Sequence, residues 1–217
     1  MSTERKLRWG ILGAARINER VLPAIVGADH AELVAIASRR SGAAAETLAR
    51  YAPGQTGVSV HESLDALLQD PRVDAVYLPI SNREHAEWTL RAIEHGKHVL
   101  CEKPMALTVA DIEAIEVAAR RQGVTVMEGF MHRFHPQHAR VRELVDSGLI
   151  GDIRFVRSSF SFMMRPARMY RLADEVWQGG GAMWDIGCYA INCARMWFAE
   201  PPLAISAIAH YVESGAD

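Results

Sequence analysis

The chain has 217 residues, 49 % of them hydrophobic, and its 24 basic and 26 acidic side chains give a formal charge of -2. A chain of this size buries roughly 70 % of its unfolded surface without disulfide or metal staples, and its balanced charge leaves no electrostatic footprint for nucleic acid or an anionic membrane. A small-molecule partner is therefore expected, with no nucleic acid and no membrane. No apolar run approaches the ~18 residues of a membrane span, and Arg16, Glu19 and Arg20 follow the charged start too soon for a signal peptide. Cys101, Cys188 and Cys193 lack C-x-x-C spacing, so a cytoplasmic protein with neither a disulfide framework nor a zinc knuckle is expected.

From the N-terminus, strand-like and helix-like segments alternate. Leu7–Leu12, Leu33–Ser38, Asp74–Pro79, His98–Cys101 and Thr125–Glu128 are short runs rich in Val, Ile and Leu, as strands covered on both faces should be. Between them, Ala43–Ala45 enriches alanine, and Ala86, Leu90 and Ile93 recur at helical spacing behind a cap at Ser81 or Asn82, with Gly96 at the stop. Thr108-x-x-Asp111 resembles a capping box, opening a helix with Ile112, Ile115 and Ala119 on one face and Gly123 at its end. Such alternation implies an α/β fold, a doubly wound parallel sheet with ligands gathered outside the carboxyl ends of its strands.

After Gly129 the rhythm changes. A helix is expected over Pro136–Ser147, then an alternating run "IRFVRSSFSF", a glycine-rich link, a helix over Ile186–Phe198 and a last strand at Leu203–Tyr211. The expected division is a dinucleotide-binding domain over 1–128 and a short α+β domain with a mainly antiparallel sheet over 129–217.

Gly13-Ala14-Ala15-Arg16-Ile17-Asn18 occupies the place of G-x-G-x-x-G at the first strand-to-helix turn, with Ala15 and Asn18 replacing the second and third glycines. Ala15 adds only a methyl where the backbone must approach a pyrophosphate, and Asn18 falls where helix and strand pack closely. The second strand ends in Ser38-Arg39-Arg40 rather than in an acid that would bind a ribose 2′-hydroxyl. An arginine there pairs with a 2′-phosphate, which favours NADP over NAD, with NAD still possible. The spacing His132-x-x-His135-x-x-His138 tempts a zinc reading, but Pro136 and the lack of a clustered carboxylate argue against it, so no metal is expected. Gly179–Gly181 reads as either an amide nest or a flexible turn, and Tyr170 and Trp177 as either a sugar-binding wall or core.

The segments "GILGAARI", "LPISNREHAEWTLRAIEHGKHVLCEKPMA", "MEGFMHRFHP" and "GGGAMWDIGCYAIN" together resemble the glucose–fructose oxidoreductase/inositol dehydrogenase/rhizopine-catabolism (Gfo/Idh/MocA) family, nearest its dihydrodiol and xylose dehydrogenase branch. The resemblance implies a Rossmann domain followed by a domain with a large open sheet that lines the substrate site and often forms a dimer interface. Chains of that family usually run further, so the second domain is expected to be partial and the protein a homo-oligomer.

The family places a catalytic lysine at Lys103, often with a cis bond before the following proline, and an acid/base residue at Tyr189. Lys103 follows a strand within Glu102-Lys103-Pro104, which puts it at the cofactor crevice. Asp185 and Tyr189, four apart, share a face if the segment from Met183 is helical, so the carboxylate can orient the phenol. His85 matches a histidine the family keeps near the nicotinamide end, with Pro79 and Asn82 in the loop beneath the cofactor, although a helix-face histidine is just as often a packing residue. The expected cofactor-binding set is thus Gly13, Ala15, Arg16, Ile17, Ser38, Arg39, Arg40, Pro79, Asn82, His85, Glu102 and Lys103.

The expected reaction passes a hydride between the nicotinamide and a hydroxyl carbon of a sugar, polyol or dihydrodiol, with Tyr189 and Lys103 handling the proton and Asp185 orienting them. Two alternatives stay open: a catalytically silent nucleotide-binding regulator, and a glycosidase that uses NAD for transient oxidation.

Overall fold

The computed structural model describes residues 5–166, 169, 174–198, 200–213 and 215–217. The chain divides into two compact units, Met1–Gly129 and Phe130–Asp217.

The first unit is built on six parallel strands: β1 (Leu7–Leu12), β2 (Ala31–Ala37), β3 (Ser59–His61), β4 (Ala75–Leu78), β5 (His98–Cys101) and β6 (Val126–Glu128), in the order β3-β2-β1-β4-β5-β6. Five helices connect them: α1 (Asn18–Gly27), α2 (Ala43–Tyr51), α3 (Leu64–Leu68), α4 (His85–Glu94) and α5 (Val109–Gln122). The strands read as continuous apolar runs because the sheet is covered on both sides. One cluster gathers Leu12, Val76, Leu78, Trp88, Ile93 and Ile115, and a separate one gathers Ile11, Leu22, Leu33, Ile36 and Tyr77. Each fully buried aliphatic side chain among them contributes about 1.5–3 kcal/mol relative to exposure.

Local chemistry sets the helix ends. Thr108 Oγ1 accepts the Asp111 amide at 3.1 Å and its hydroxyl donates to the Asp111 carboxylate at 2.7 Å, starting α5. Gly123, at φ +67°, ends it in the left-handed region. On α4 the buried stripe is His85, Trp88, Thr89, Ala92 and Ile93. It is rotated from the expected Ala86–Leu90–Ile93 face, because Trp88 and the polar but enclosed Thr89 outweigh Leu90 in what the sheet covers.

The second unit holds α6 (Pro136–Asp146), a π-helical turn over Met183–Gly187, and α7 (Cys188–Trp197), which continues from that turn. Pro136 stands at the start of α6, where a missing N–H costs nothing, and His135 Nδ1 accepts the Gln137 amide at 3.2 Å.

The expected antiparallel sheet does not form among the described residues. Neither the run from Ile153 nor the segment Leu203–Tyr211 joins a ladder, and Phe155, Phe160, Leu203, Ile205 and Ile208 stay exposed. Apolar alternation yields a strand only where a second strand accepts its hydrogen bonds, and no described residue supplies that partner.

Candidate cofactor and catalytic site

In the first unit the strand order reverses beside β1, so the loops leaving β1 and β4 diverge and leave a crevice at the carboxyl edge of the sheet. The turn after β1 borders it. Gly13 has φ +133°, and a Cβ there would lie 3.0 Å from Ile80 Cγ2 and 3.5 Å from the Pro79 carbonyl oxygen. Only glycine fits both the torsion and the contact. Asn18 is fully buried and its Nδ2 donates to the Gly13 carbonyl at 2.8 Å, so the residue standing in for the third glycine pins the turn from below.

Past Gly13, whose amide donates to Ala37 at 2.9 Å, the amides of Ala14, Ala15, Arg16 and Ile17 have no protein acceptor among the described residues. Consecutive open amides at the start of α1, where the helix dipole favours negative charge, fit the pyrophosphate of a dinucleotide. Beside them lies a depression of about 200 Å³ lined by Ala14, Arg16, Arg40, Thr47, Arg50 and Tyr51.

After β2, Ser38 is buried and its Oγ accepts the Arg40 amide at 3.1 Å, which fixes the two arginines in different directions. Arg40 Nη2 donates to the Ala14 carbonyl at 2.7 Å and lines the depression. Arg39 instead turns toward Glu84 of the short 3₁₀ turn Asn82–Glu84, donating from Nη2 to Oε2 at 2.9 Å and from Nη1 to Oε1. That partner was missed in the sequence: Glu84 carries no motif and is one of six acids between the arginines and His85, none of them singled out by spacing.

The remaining expected residues of this unit surround the ends of β4 and β5. Pro79 is buried beneath Gly13, and Asn82 opens the 3₁₀ turn, half-buried. The Lys103–Pro104 peptide is cis, as the resemblance implies, and Lys103 is half-buried. Two carboxylates brace its loop: Tyr77 donates its hydroxyl to Glu102 Oε1 at 2.6 Å, and Glu128 Oε1 accepts the Met105 amide at 2.9 Å.

His85 is 1 % exposed and lies between two carbonyls, Nδ1 to Pro104 O at 2.6 Å and Nε2 to Ile80 O at 3.1 Å. Burial holds its pKa below the ordinary 6.5, against the two carbonyls, which favour the charged ring. A neutral imidazole carries one N–H, so the ring donates to one of these two carbonyls and is held against main chain there. Cys101, fully buried under the lysine loop, has its thiol pushed up to about 12 by burial and is inert.

In the second unit Asp185 and Tyr189 lie on one helical rod, Asp185 in the π turn and Tyr189 in the first turn of α7. Asp185 is 7 % exposed and its amide donates to Gly181 O at 3.2 Å. The Tyr189 ring meets Phe130, His132 and Phe160 edge-on, with centroids 5.5, 5.4 and 5.6 Å away. Around the glycine link, the Ala182 amide donates to the Asp217 main-chain oxygen at 3.0 Å and the Met183 amide to the Asp217 carboxylate Oδ2 at 2.8 Å. His135 caps α6 while His132 and His138 pack edge-on at 5.6 Å. Trp177 is 69 % exposed, and Tyr170 lies outside the described residues.

Residues 7–130 match the family described as "Oxidoreductase family, NAD-binding Rossmann fold", and residues 138–217 match the "GFO/IDH/MocA C-terminal domain". Among curated relatives, the dTDP-3,4-didehydro-2,6-dideoxy-alpha-D-glucose 3-reductase of Streptomyces violaceoruber is 40 % identical over 195 residues, covering 89 % of this chain and 55 % of the relative. The D-xylose 1-dehydrogenase (NADP(+)) 2 of Haloferax volcanii is 38 % identical over 214 residues, covering 97 % of this chain and 63 % of the relative. A solved 3-ketoreductase from Actinomadura kijaniata, in complex with NADP and TDP-benzene, superposes with a TM-score of 0.80 at 39 % identity, covering 89 % of this chain and 57 % of that one. The chain spans 55 % and 63 % of the length of the two curated relatives.

Proposed function

The chain belongs to the GFO/IDH/MocA oxidoreductase family, and from that premise we propose that it is an NADP-dependent dehydrogenase or reductase acting on a hydroxyl or keto carbon of a sugar, polyol or related diol. The observation that carries the reading is the run of open amides from Ala14 to Ile17, over the Gly13 turn at the start of α1. Arg40, at the neighbouring depression, supports the phosphorylated cofactor, as does the NADP found in the Actinomadura structure.

When bound, the nicotinamide supplies hydride transfer at the substrate carbon. The protein's own task is to manage the proton of the substrate hydroxyl. Lys103, at the carboxyl end of β5, is assigned a share in taking that proton in the oxidative direction and returning it in the reductive one. Tyr189 is assigned the direct acid/base role, with Asp185 on the same rod orienting the phenol. Glu102 and Glu128 keep the lysine loop in place through Tyr77 and the Met105 amide. The regulator alternative gives no reason for this bracing.

A cytoplasmic home and a homo-oligomeric state belong to the same reading. The first rests on cysteine usage. The second rests on the apolar side chains exposed between Leu203 and Tyr211.

The test is reduced-nicotinamide absorbance with NADP and a panel of aldoses, polyols and dihydrodiols. Turnover is expected, falling by about 10²-fold or more in Lys103→Ala and in Tyr189→Phe, with the NADP dissociation constant little changed in Tyr189→Phe. Nucleotide binding without turnover on any member of the panel, indifferent to Lys103→Ala, would overturn the catalytic assignment.

A further inference from the structure

Arg39 and Glu84 belong to loops that leave β2 and β4, and β1 runs between those strands. Their ion pair therefore crosses the carboxyl end of β1, above the turn whose amides are open. It is a fork-to-fork contact, the two terminal guanidinium nitrogens each facing one carboxylate oxygen, and Ser81 adds a hydroxyl donor to Glu84 Oε2. The carboxylate is the fixed partner, with its side chain 19 % exposed, while the arginine side chain is 55 % exposed. Arg39 first, and Ser81 in addition, hold the Glu84 carboxyl below its ordinary range, so it is ionised at neutral pH.

A dinucleotide laid across this edge brings its adenosine ribose to the end of β2 and its pyrophosphate to the Gly13 turn. Arg39, which follows Ser38, is then, beside Arg40, a residue that a 2′-phosphate calls on. One guanidinium fork serves one anion in bidentate geometry, and here a carboxylate of the same protein already holds it.

We propose that Glu84 is a specificity-determining residue: its carboxylate competes with the cofactor's 2′-phosphate for the fork of Arg39, making the pair a clasp across the crevice that a 2′-phosphate opens and an unphosphorylated ribose does not. The proposal rests on the dinucleotide reading of this crevice. It implies that Glu84 narrows the preference for NADP.

Titration calorimetry with adenosine 2′,5′-bisphosphate and adenosine 5′-monophosphate isolates this end of the site from catalysis. Glu84→Gln should tighten the bisphosphate by up to about fivefold, the range open to a partly exposed ion pair, and leave the monophosphate unchanged. Arg39→Met should weaken the bisphosphate by about tenfold or more, and Glu84→Gln should have no further effect in that background. A bisphosphate affinity that is unchanged or weakened in Glu84→Gln, or the same gain in the Arg39→Met background, overturns the proposal while the cofactor site stands. Failure of the wild-type chain to bind either nucleotide overturns the cofactor reading and the clasp with it.

Discussion

Replacing His85 by alanine removes a side chain that stands between the loop after β4 and the loop that carries Lys103. The imidazole is 1 % exposed and its nitrogens face Pro104 O at 2.6 Å and Ile80 O at 3.1 Å. In the neutral ring one nitrogen donates, and the shorter contact selects Nδ1–H. Deleting the ring leaves that buried carbonyl unpaired, a cost of about 1–3 kcal/mol. The space it vacates adds about 1–2 kcal/mol, so the expected loss is about 2–5 kcal/mol, a large part of the ~5–15 kcal/mol typical of a domain.

Urea denaturation followed by circular dichroism measures that loss, and its pH dependence adds a second signature. Burial lowers the folded-state pKa of His85 below 6.5, with the Lys103 charge acting in the same direction and Glu102 opposing it. The unfolded chain therefore binds the proton first. Stability at this residue is full above about pH 6.5 and falls by up to ~1.4 kcal/mol per pH unit as pH drops toward the folded value. His132, also lowered chiefly by burial, adds a slope of the same sign. His85→Ala should keep only the remainder. A variant that loses less than about 1 kcal/mol and keeps the full slope would refute the view that this imidazole joins the two loops.

Gly13→Ala places a Cβ 3.0 Å from Ile80 Cγ2 at φ +133°. It should cost about 1–3 kcal/mol in a thermal melt and weaken nucleotide binding, because the turn must relieve the strained torsion and the close contact with Ile80. Asp74 is held down to about 2, from an ordinary 3.8, first by the Arg8 side-chain hydrogen bonds, with the Arg8 amide and Arg5 adding to them. Its contribution of about 2 kcal/mol is present above pH ~4 and is lost as pH falls through ~2. Asp74→Asn should forfeit it at neutral pH and flatten the acid limb of a stability–pH curve.

The parts of the fold legible in the sequence were those where one physical signal dominated. β1 and β5 were bounded correctly at Leu7–Leu12 and His98–Cys101 because each short, largely apolar run is bounded by a lysine before it and by Gly13 or Glu102 after it. α5 was legible at both ends because Thr108 and Gly123 are strong local signals. The strand Ser59–His61 escaped notice: three residues at a sheet edge, two half-buried and Val60 exposed, leave no periodicity to detect. In the second unit the alternation of 153–162 was a true pattern with a missing condition, since pairing is a property of two segments and periodicity reports only one.

At the site, motif and location gave the Gly13 turn, the lysine loop and the paired arginines as candidates. What they could not give was how Ser38 sends Arg39 and Arg40 apart, or that Glu84 awaits one of them. Those facts depend on rotamers and on loops 45 residues apart in sequence, which no local pattern encodes.

The order of the strands decides which part of the first unit loosens first. The rims of the sheet are the three-residue strands β3 and β6, and β2 and β5 stand inside them. Fraying that begins at either rim must therefore undo two strands before it reaches the pair β1 and β4. Amide hydrogens of Ile11 and Val76 should exchange with solvent only through global opening, while those of the rims exchange through local breathing. The loops over the crevice are thus free to vary in sequence, and so in cofactor choice, on the segment of the domain least disturbed by such variation.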